Sequence, residues 1–210
     1  VYKMTDILSP YFNFELYTTL MLSPNQMNNN LYINLKKNLK AKVENKCNKI
    51  GYILNIYNIL SYDEGILEPE NFTGSAKYNI KYSARLCCPI ENTFIICKIE
   101  NMNKLLIKAK NGPILIIVNN NNINTDNFKK DNEKNIIHKN NILKVDDYII
   151  IKVLAKKLNN NDTRICTLGY LENIPTQTQI NKFFNQLQKT HHASDVALYS
   201  SGRVALFSCL

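Results

Sequence analysis

Phe94-Ile95-Ile96-Cys97-Lys98-Ile99-Glu100 is the stretch that decides the fold. Successive side chains of a strand point to opposite faces. Ile95, Cys97 and Ile99 therefore share one face, and Lys98 and Glu100 share the other. The same one-sided pattern returns twice. In Lys104 to Lys110, Leu105, Ile107 and Ala109 oppose Lys104, Lys108 and Lys110. In Tyr148 to Lys156, Ile149, Ile151, Val153 and Ala155 face in, while Tyr148, Lys152 and Lys156 face out.

Gly112 to Val118 and Ile165 to Tyr170 supply two more strands, and a long polar connection, Asn119 to Lys144, follows the third. Five short strands with an excursion between the third and fourth are the plan of a five-stranded all-β OB barrel. Upstream the pattern differs. Phe12 to Leu22 has strand composition and ends at the turn Ser23-Pro24-Asn25. Leu31, Leu35 and Leu39 recur at helical spacing, with Lys36, Lys37 and Lys40 on the other side and Asn28 to Asn30 at the start. Ala41 to Cys47, Ile50 to Leu60 and Lys77 to Cys88 read as strands, and Ser61 to Ala76 reads as an acidic excursion containing Gly65, Pro69 and Gly74. The expected organisation is an α+β tip domain, a small antiparallel sheet with one helix, at 1–83. The barrel follows at 84–174, and 175–210 is left as a tail of unassigned order.

The chain has 210 residues, with 26 Lys and Arg against 17 Asp and Glu, a net charge of +9. A positive excess favours polyanionic partners through long-range attraction. Nucleic acid heads those partners and an anionic membrane surface is second; no apolar run approaches the roughly 20 residues of a spanning helix, and no membrane partner is expected. Val1 to Pro10 carries Asp6 and lacks the apolar stretch of a secretory signal, which points to an intracellular protein. The six cysteines form no Cys-x-x-Cys pair, and reduced, buried thiols are expected. His191 and His192 are adjacent without a Cys or carboxylate constellation, and no metal or other cofactor is expected. No nucleophile, base and orienter gather in one motif, so catalysis is not expected either.

Gly74-Ser75-Ala76-Lys77-Tyr78-Asn79-Ile80-Lys81-Tyr82 resembles the strand that closes the tip domain in the stalk-subunit family of multisubunit DNA-dependent RNA polymerases. That family comprises the seventh-largest subunit of RNA polymerase II, its relatives in polymerases I and III, and their archaeal counterpart. Val43-Glu44-Asn45-Lys46-Cys47 with Gly51-Tyr52-Ile53 is similar to the family's Val-Glu-Gly-x-Cys and Gly-Tyr-Ile strands. Gly112-Pro113 and Leu168-Gly169-Tyr170-Leu171 stand where the family has Gly-Pro and Ile-Gly-Ser-Leu. The likeness covers about Phe12 to Ile174. Two departures stand out: Asn101-Met102-Asn103 replaces the glycine of the first barrel hairpin, and Leu105 and Ile107 replace the aromatic residues of many RNA-binding barrels.

The resemblance implies a non-catalytic subunit that docks on the polymerase core near the clamp, helps hold the clamp closed during initiation and contacts nascent RNA. Its partners would be the largest polymerase subunits, a small helical stalk subunit and the transcript. The core-docking group would be Asp63, Gly65, Ile66, Leu67, Phe72 and Gly74. The RNA-binding group would be Lys98, Lys104, Lys108, Lys110, Tyr148, Lys152 and Lys156, because point charges along a barrel face follow a phosphate backbone without reading sequence. An ordinary solvated face gives the same lysine periodicity. A free-standing OB protein for single-stranded nucleic acid, and an accessory or nuclease on a barrel scaffold, remain alternatives. The polymerase class stays open. So does the host: a cell would place the protein in the nucleus, a large DNA virus in the virion and cytoplasmic viral factory. Divergence from the cellular pattern, an unfamiliar tail, and the abundance of Asn, Ile and Lys that an AT-rich coding sequence produces, as in Asn119 to Asn122, point to the virus by association.

Overall fold

A computed structural model describes residues 7–69, 72–103, 105–131, 136–139 and 141–190. The first strand, β1 (Tyr11–Leu22), leads through a single 3-10 turn into the helix α1 (Leu31–Val43). Then follow β2 (Lys46–Cys47), β3 (Tyr52–Tyr62), β4 (Ile66–Leu67) and β5 (Ala76–Cys87). These strands make one antiparallel sheet in the order β1-β5-β3-β2, with β4 paired to β5. The expected strand at Ala41 to Cys47 is corrected here: Val43 continues the stripe of Leu31, Leu35 and Leu39, so the helical repeat persists to Val43 and only Lys46–Cys47 pairs as strand. Asn45 then turns the chain at a φ of 59°, a conformation that Asn tolerates better than most side chains.

The two faces of this sheet have different fates. Leu16, Leu20 and Leu22 of β1, Ile53, Ile56 and Ile59 of β3, and Tyr78, Ile80 and Tyr82 of β5 pack with Leu35 and Leu39 of α1 into one core. The terminal row turns the other way. Cross-strand pairing sets Tyr11, Cys87, Tyr52 and Cys47 side by side, and all four belong to the core of the barrel beyond.

That barrel is built from β6 (Phe94–Met102), β7 (Leu106–Asn111), β8 (Ile114–Asn119), β12 (Tyr148–Lys157) and β13 (Ile165–Asn173). It closes in the order β12-β13-β8-β7-β6, with β13 and β8 parallel. Ile95, Cys97 and Ile99, Ile107 and Ala109, Ile149, Ile151 and Val153 fill the interior as the alternation requires. Gly169 lies so close to Ile151 and Ile116 that a Cβ there would collide with both. Gly112, at φ 55°, turns β7 into β8 beneath the Tyr11 ring.

Between β8 and β12 the connection is more ordered than a polar loop. It folds into a small sheet of β9 (Lys129–Lys130), β10 (Ile136–His138) and β11 (Asn141–Ile142). Ile123, Phe128, Ile136 and Leu143 are buried against the barrel. Past Pro175, the expected unassigned tail contains α2 (Gln177–Thr190); residues 191–210, with His191 and His192, lie outside the described residues. Two side chains depart from the alternation. Leu105 precedes β7 and is 76% exposed. Ala155 is exposed because a register shift between Val153 and Ala155 moves the end of β12 out of phase.

Sheet and barrel are joined by more than a linker. Strand β5 runs unbroken through the expected boundary at 83/84. The Tyr11 hydroxyl donates to Asn111 Oδ1 at 2.8 Å, and Asn111 Nδ2 donates to the Ile96 carbonyl at 2.8 Å. On the other side, Cys47 N donates to Asp162 O at 2.8 Å and Asn161 N to Cys47 O at 2.9 Å.

Tyr11→Phe should therefore lower urea-measured stability by about 1–3 kcal/mol, because it leaves a buried Asn oxygen without a donor. Stability should also fall in alkali. Burial pushes the Cys47 thiol up to about 11 and the Tyr82 phenol up to about 12, and it raises Tyr11, Cys87 and Cys97 as well. The folded state holds these groups neutral, so their contribution is complete below the ordinary thiol value of 9.0 and is lost as pH rises through the folded values. Urea midpoints measured from neutral pH into alkali should stay level and then drop.

Candidate nucleic-acid and docking surfaces

The barrel's lysines separate into two groups when strand register is followed outward from the core. Tyr148 pairs with Lys98, and Lys98 pairs with Lys110, so β12, β6 and β7 place one ring and two ammonium groups in a single row. Neighbouring strands lie about 4.8 Å apart, which spaces these groups on the scale of successive phosphates. Lys108 stands two residues from Lys110 on the same side. Lys152 and Lys156 lie progressively farther along β12, at about 3.3 Å per residue. Lys104 lies outside the described residues.

Two of these lysines have a charged partner beside them. Lys98 Nζ is 2.7 Å from Asp146 Oδ1, and Lys108 Nζ is 2.8 Å from Glu100 Oε2. The Lys108 ammonium, first by hydrogen bond and then by charge, holds the Glu100 carboxyl below its ordinary range, with Lys110 and Arg164 adding smaller pulls. Lys156 Nζ turns to the junction, 3.1 Å from the Pro89 carbonyl and 3.3 Å from Cys88 Sγ. It is thereby a positioning contact between barrel and sheet end. Arg164, just before β13, joins the Lys108–Lys110 cluster, and lysine periodicity within single strands could not reveal it.

Tyr148 is not a bare platform. Its ring meets Phe184 edge-on, with centroids 5.6 Å apart and planes at 86°, and Phe183 at 6.5 Å. Burial in this cluster raises the Tyr148 phenol above its ordinary value. Ile96 and Ile150 pair with each other on the barrel's outer face, and Ile96 is only 1% exposed. Phe183 and the segment Ile7–Tyr11 surround Ile96 and Asn111. Two outward isoleucines in otherwise alternating strands were the signal that something covers this face.

The excursion between β3 and β5 is held at its base and open at its tip. Ile66 and Leu67 pair with Lys77 and Ala76, Asp63 N donates to the Asn79 carbonyl at 3.1 Å, and Asp63 Oδ2 accepts from Asn79 Nδ2 at 3.2 Å. Gly65 packs against the Tyr78 ring, and Gly74 reverses the chain at φ 66°. Ile66, Leu67 and Phe72 nevertheless remain 56%, 61% and 99% exposed. The segment expected to be an excursion is thus a hairpin extension whose apolar side chains Ile66, Leu67 and Phe72 are each exposed.

A groove of about 590 Å³ lies where α1 leaves the sheet uncovered beside the barrel. Leu16, Ile53 and Tyr82 line it, with Lys42, Lys46 and Lys49 also at its wall and Asn160 and Asn161 contributed by the barrel. Among the described residues, no group of three or more His, Cys, Asp or Glu side chains is placed to hold a metal ion, and no helix is long and apolar enough to cross a membrane.

Residues 18–71 match the family model described as the SHS2 domain found in the N terminus of Rpb7p/Rpc25p/MJ0397. The chain is 37% identical over 179 residues to a protein of Acanthamoeba polyphaga mimivirus described provisionally as a DNA-directed RNA polymerase subunit, covering 84% of this chain and 89% of that one. It is 30% identical over 112 residues to DNA-directed RNA polymerase II subunit rpb7 of Schizosaccharomyces pombe, covering 52% of this chain and 64% of the yeast protein. A small helix-backed sheet carrying this motif, a closed five-stranded OB-like barrel behind it, and a viral relative matched over most of both lengths agree: the chain belongs to the Rpb7 family of RNA polymerase subunits.

Proposed function

We propose that this protein is the non-catalytic stalk subunit of a DNA-dependent RNA polymerase, anchored to the core through the hairpin extension and turning its barrel toward nascent RNA. The observation that carries the reading is the solvent-facing trio Ile66, Leu67 and Phe72 on a sheet-supported hairpin. Exposed apolar side chains gathered on one projection favour burial in a partner surface. The core-docking group is Asp63, Gly65, Ile66, Leu67, Phe72 and Gly74, with the largest polymerase subunits as its acceptor. The groove spanning sheet and barrel, and the outer edge of β1, which pairs with no strand among the described residues, support a smaller helical partner along the junction. The relatives, one viral and one of nuclear RNA polymerase II, support a place in the viral factory or the nucleus.

On the barrel, the row Tyr148, Lys98 and Lys110, with Lys108 beside it, supplies phosphate contacts without base-edge donors arranged for readout. Exposed ion pairs such as Lys98–Asp146 are worth little in water, about 0–1 kcal/mol. A polyanion can therefore exchange with Asp146 and Glu100 at small cost. The proposed binding is weak and tolerant of sequence.

Replacing Asp63 to Thr73 by a tight Asn-Gly turn should leave the barrel folded by circular dichroism while recovery of the largest polymerase subunits in co-purification falls at least several-fold. Undiminished recovery of the core would remove the anchoring role. For the barrel, the combined variant Lys98→Ala, Lys108→Ala and Lys110→Ala should weaken binding to single-stranded RNA and flatten its log-log salt dependence. The slope should change by about 0.7 for each phosphate that is no longer neutralised, so by roughly 2 for the three substitutions together. An unchanged slope would leave these lysines as a solvated face.

A further inference from the structure

Helix α2 packs against Tyr148, the aromatic side chain of the proposed RNA-contacting row. Its sequence carries an amphipathic stripe, Ile180, Phe183, Phe184 and Leu187, at the i, i+3, i+4, i+7 spacing. Phe183 and Phe184 stand 5.7 Å apart and both approach the Tyr148 ring, so the chain's own aromatic groups crowd the ring on which a base would stack. Lys98 and Lys110 continue the row away from that ring, where the phosphates of the same strand would lie.

The attachment of α2 is light. Among the described residues, the hydrogen bonds of α2 stay within the helix and its N-terminal turn, such as Ile180 N to Thr176 O at 3.0 Å and Gln177 Nε2 to Asn181 Oδ1 at 3.2 Å. Phe183 and Phe184 are half-buried rather than enclosed. Phe183 also borders a crevice of about 10 Å³ against Ile7–Tyr11, Ile96 and Asn111, roughly the room of one water. Among the described side chains of the helix, the exposed positions are Gln, Asn, Thr and Lys182, and a helix of 14 residues is marginal in water without an apolar face to rest on.

We infer that α2 is a displaceable cover over a base-stacking site formed by Tyr148 with Lys98 and Lys110, so that single-stranded RNA and α2 compete for the Tyr148 ring. This inference rests on the proposed contact between barrel and RNA, and adds to it the regulation of that contact by the chain itself. RNA affinity is reduced by the fraction of time the site is uncovered. A base stacked on an aromatic ring contributes about 1–3 kcal/mol, enough to displace a helix held by two half-buried phenylalanines.

The test uses the full-length chain and a labelled oligouridine. Phe183→Asp with Phe184→Asp should undock α2 and raise oligouridine affinity about tenfold, the gain expected if the cover is off about a tenth of the time. In a Tyr148→Ala background the same pair should give no gain. In the unmutated chain, saturating oligouridine should speed hydrogen exchange of the α2 amides. If the unmutated chain binds and the double variant binds no better, or if the gain survives in Tyr148→Ala, the cover is overturned while the RNA contact stands. If neither chain binds oligouridine, the RNA contact and its cover fall together.

Discussion

The buried hydrogen bonds from Tyr11 through Asn111 to the Ile96 carbonyl hold the first residue of the sheet against the barrel wall. Tyr11, Cys87, Tyr52 and Cys47 form the end row of the sheet and, at the same time, a layer of the barrel core. A hydroxyl and an amide removed from water need their partners, so the arrangement tolerates little sliding of one part on the other. Gly112 carries no Cβ because the Tyr11 hydroxyl fills that space. The loop at Asn161 and Asp162 closes the far side by bonding to Cys47 on both of its backbone groups. The hairpin extension and the lysine row are thereby carried on one bonded support, as the proposed link between a docking point and a polymer path would require.

Electrostatics divides the labour differently from a simple basic face. The net charge of +9 draws a polyanion from a distance, but at contact range Asp146 and Glu100 stand beside Lys98 and Lys108. In the proposed contact with RNA, attraction at a distance and local screening would favour loose association over tight capture. The aromatic component of that proposed site is Tyr148, and α2 packs against it.

Much of the barrel was legible because each inward position obeys a two-residue repeat: Ile95, Cys97 and Ile99 predict a strand and its face without any partner strand. The tip sheet was legible in part for a second reason, since the motif from Gly74 to Tyr82 marks its closing strand, whereas the strand order came only with the folded sheet. What escaped reading depends on contacts between distant segments. Residues Gln177 to Thr190 are dominated by Gln, Asn and Thr, so their four apolar residues are informative only once Ile96 and Ile150 are known to face outward. The excursion after β8 hid its buried Phe128, Ile136 and Leu143 among Asn and Lys. Lys156 looked like one more member of the basic face, but the register shift after Val153 and the nearby Pro89 carbonyl turn it to the junction. Ile66, Leu67 and Phe72 were visible as apolar residues in a polar loop, whereas the pairing of Ile66 and Leu67 against β5 required the folded sheet.

The most direct measurement is a cryo-electron microscopy reconstruction of the intact polymerase stalled with a transcript extending beyond its exit. The account predicts Ile66, Leu67 and Phe72 buried against the large subunits, with the Tyr148–Lys98–Lys110 row directed toward the emerging RNA. A reconstruction that seats the barrel on the core and leaves the hairpin extension in solvent would contradict it.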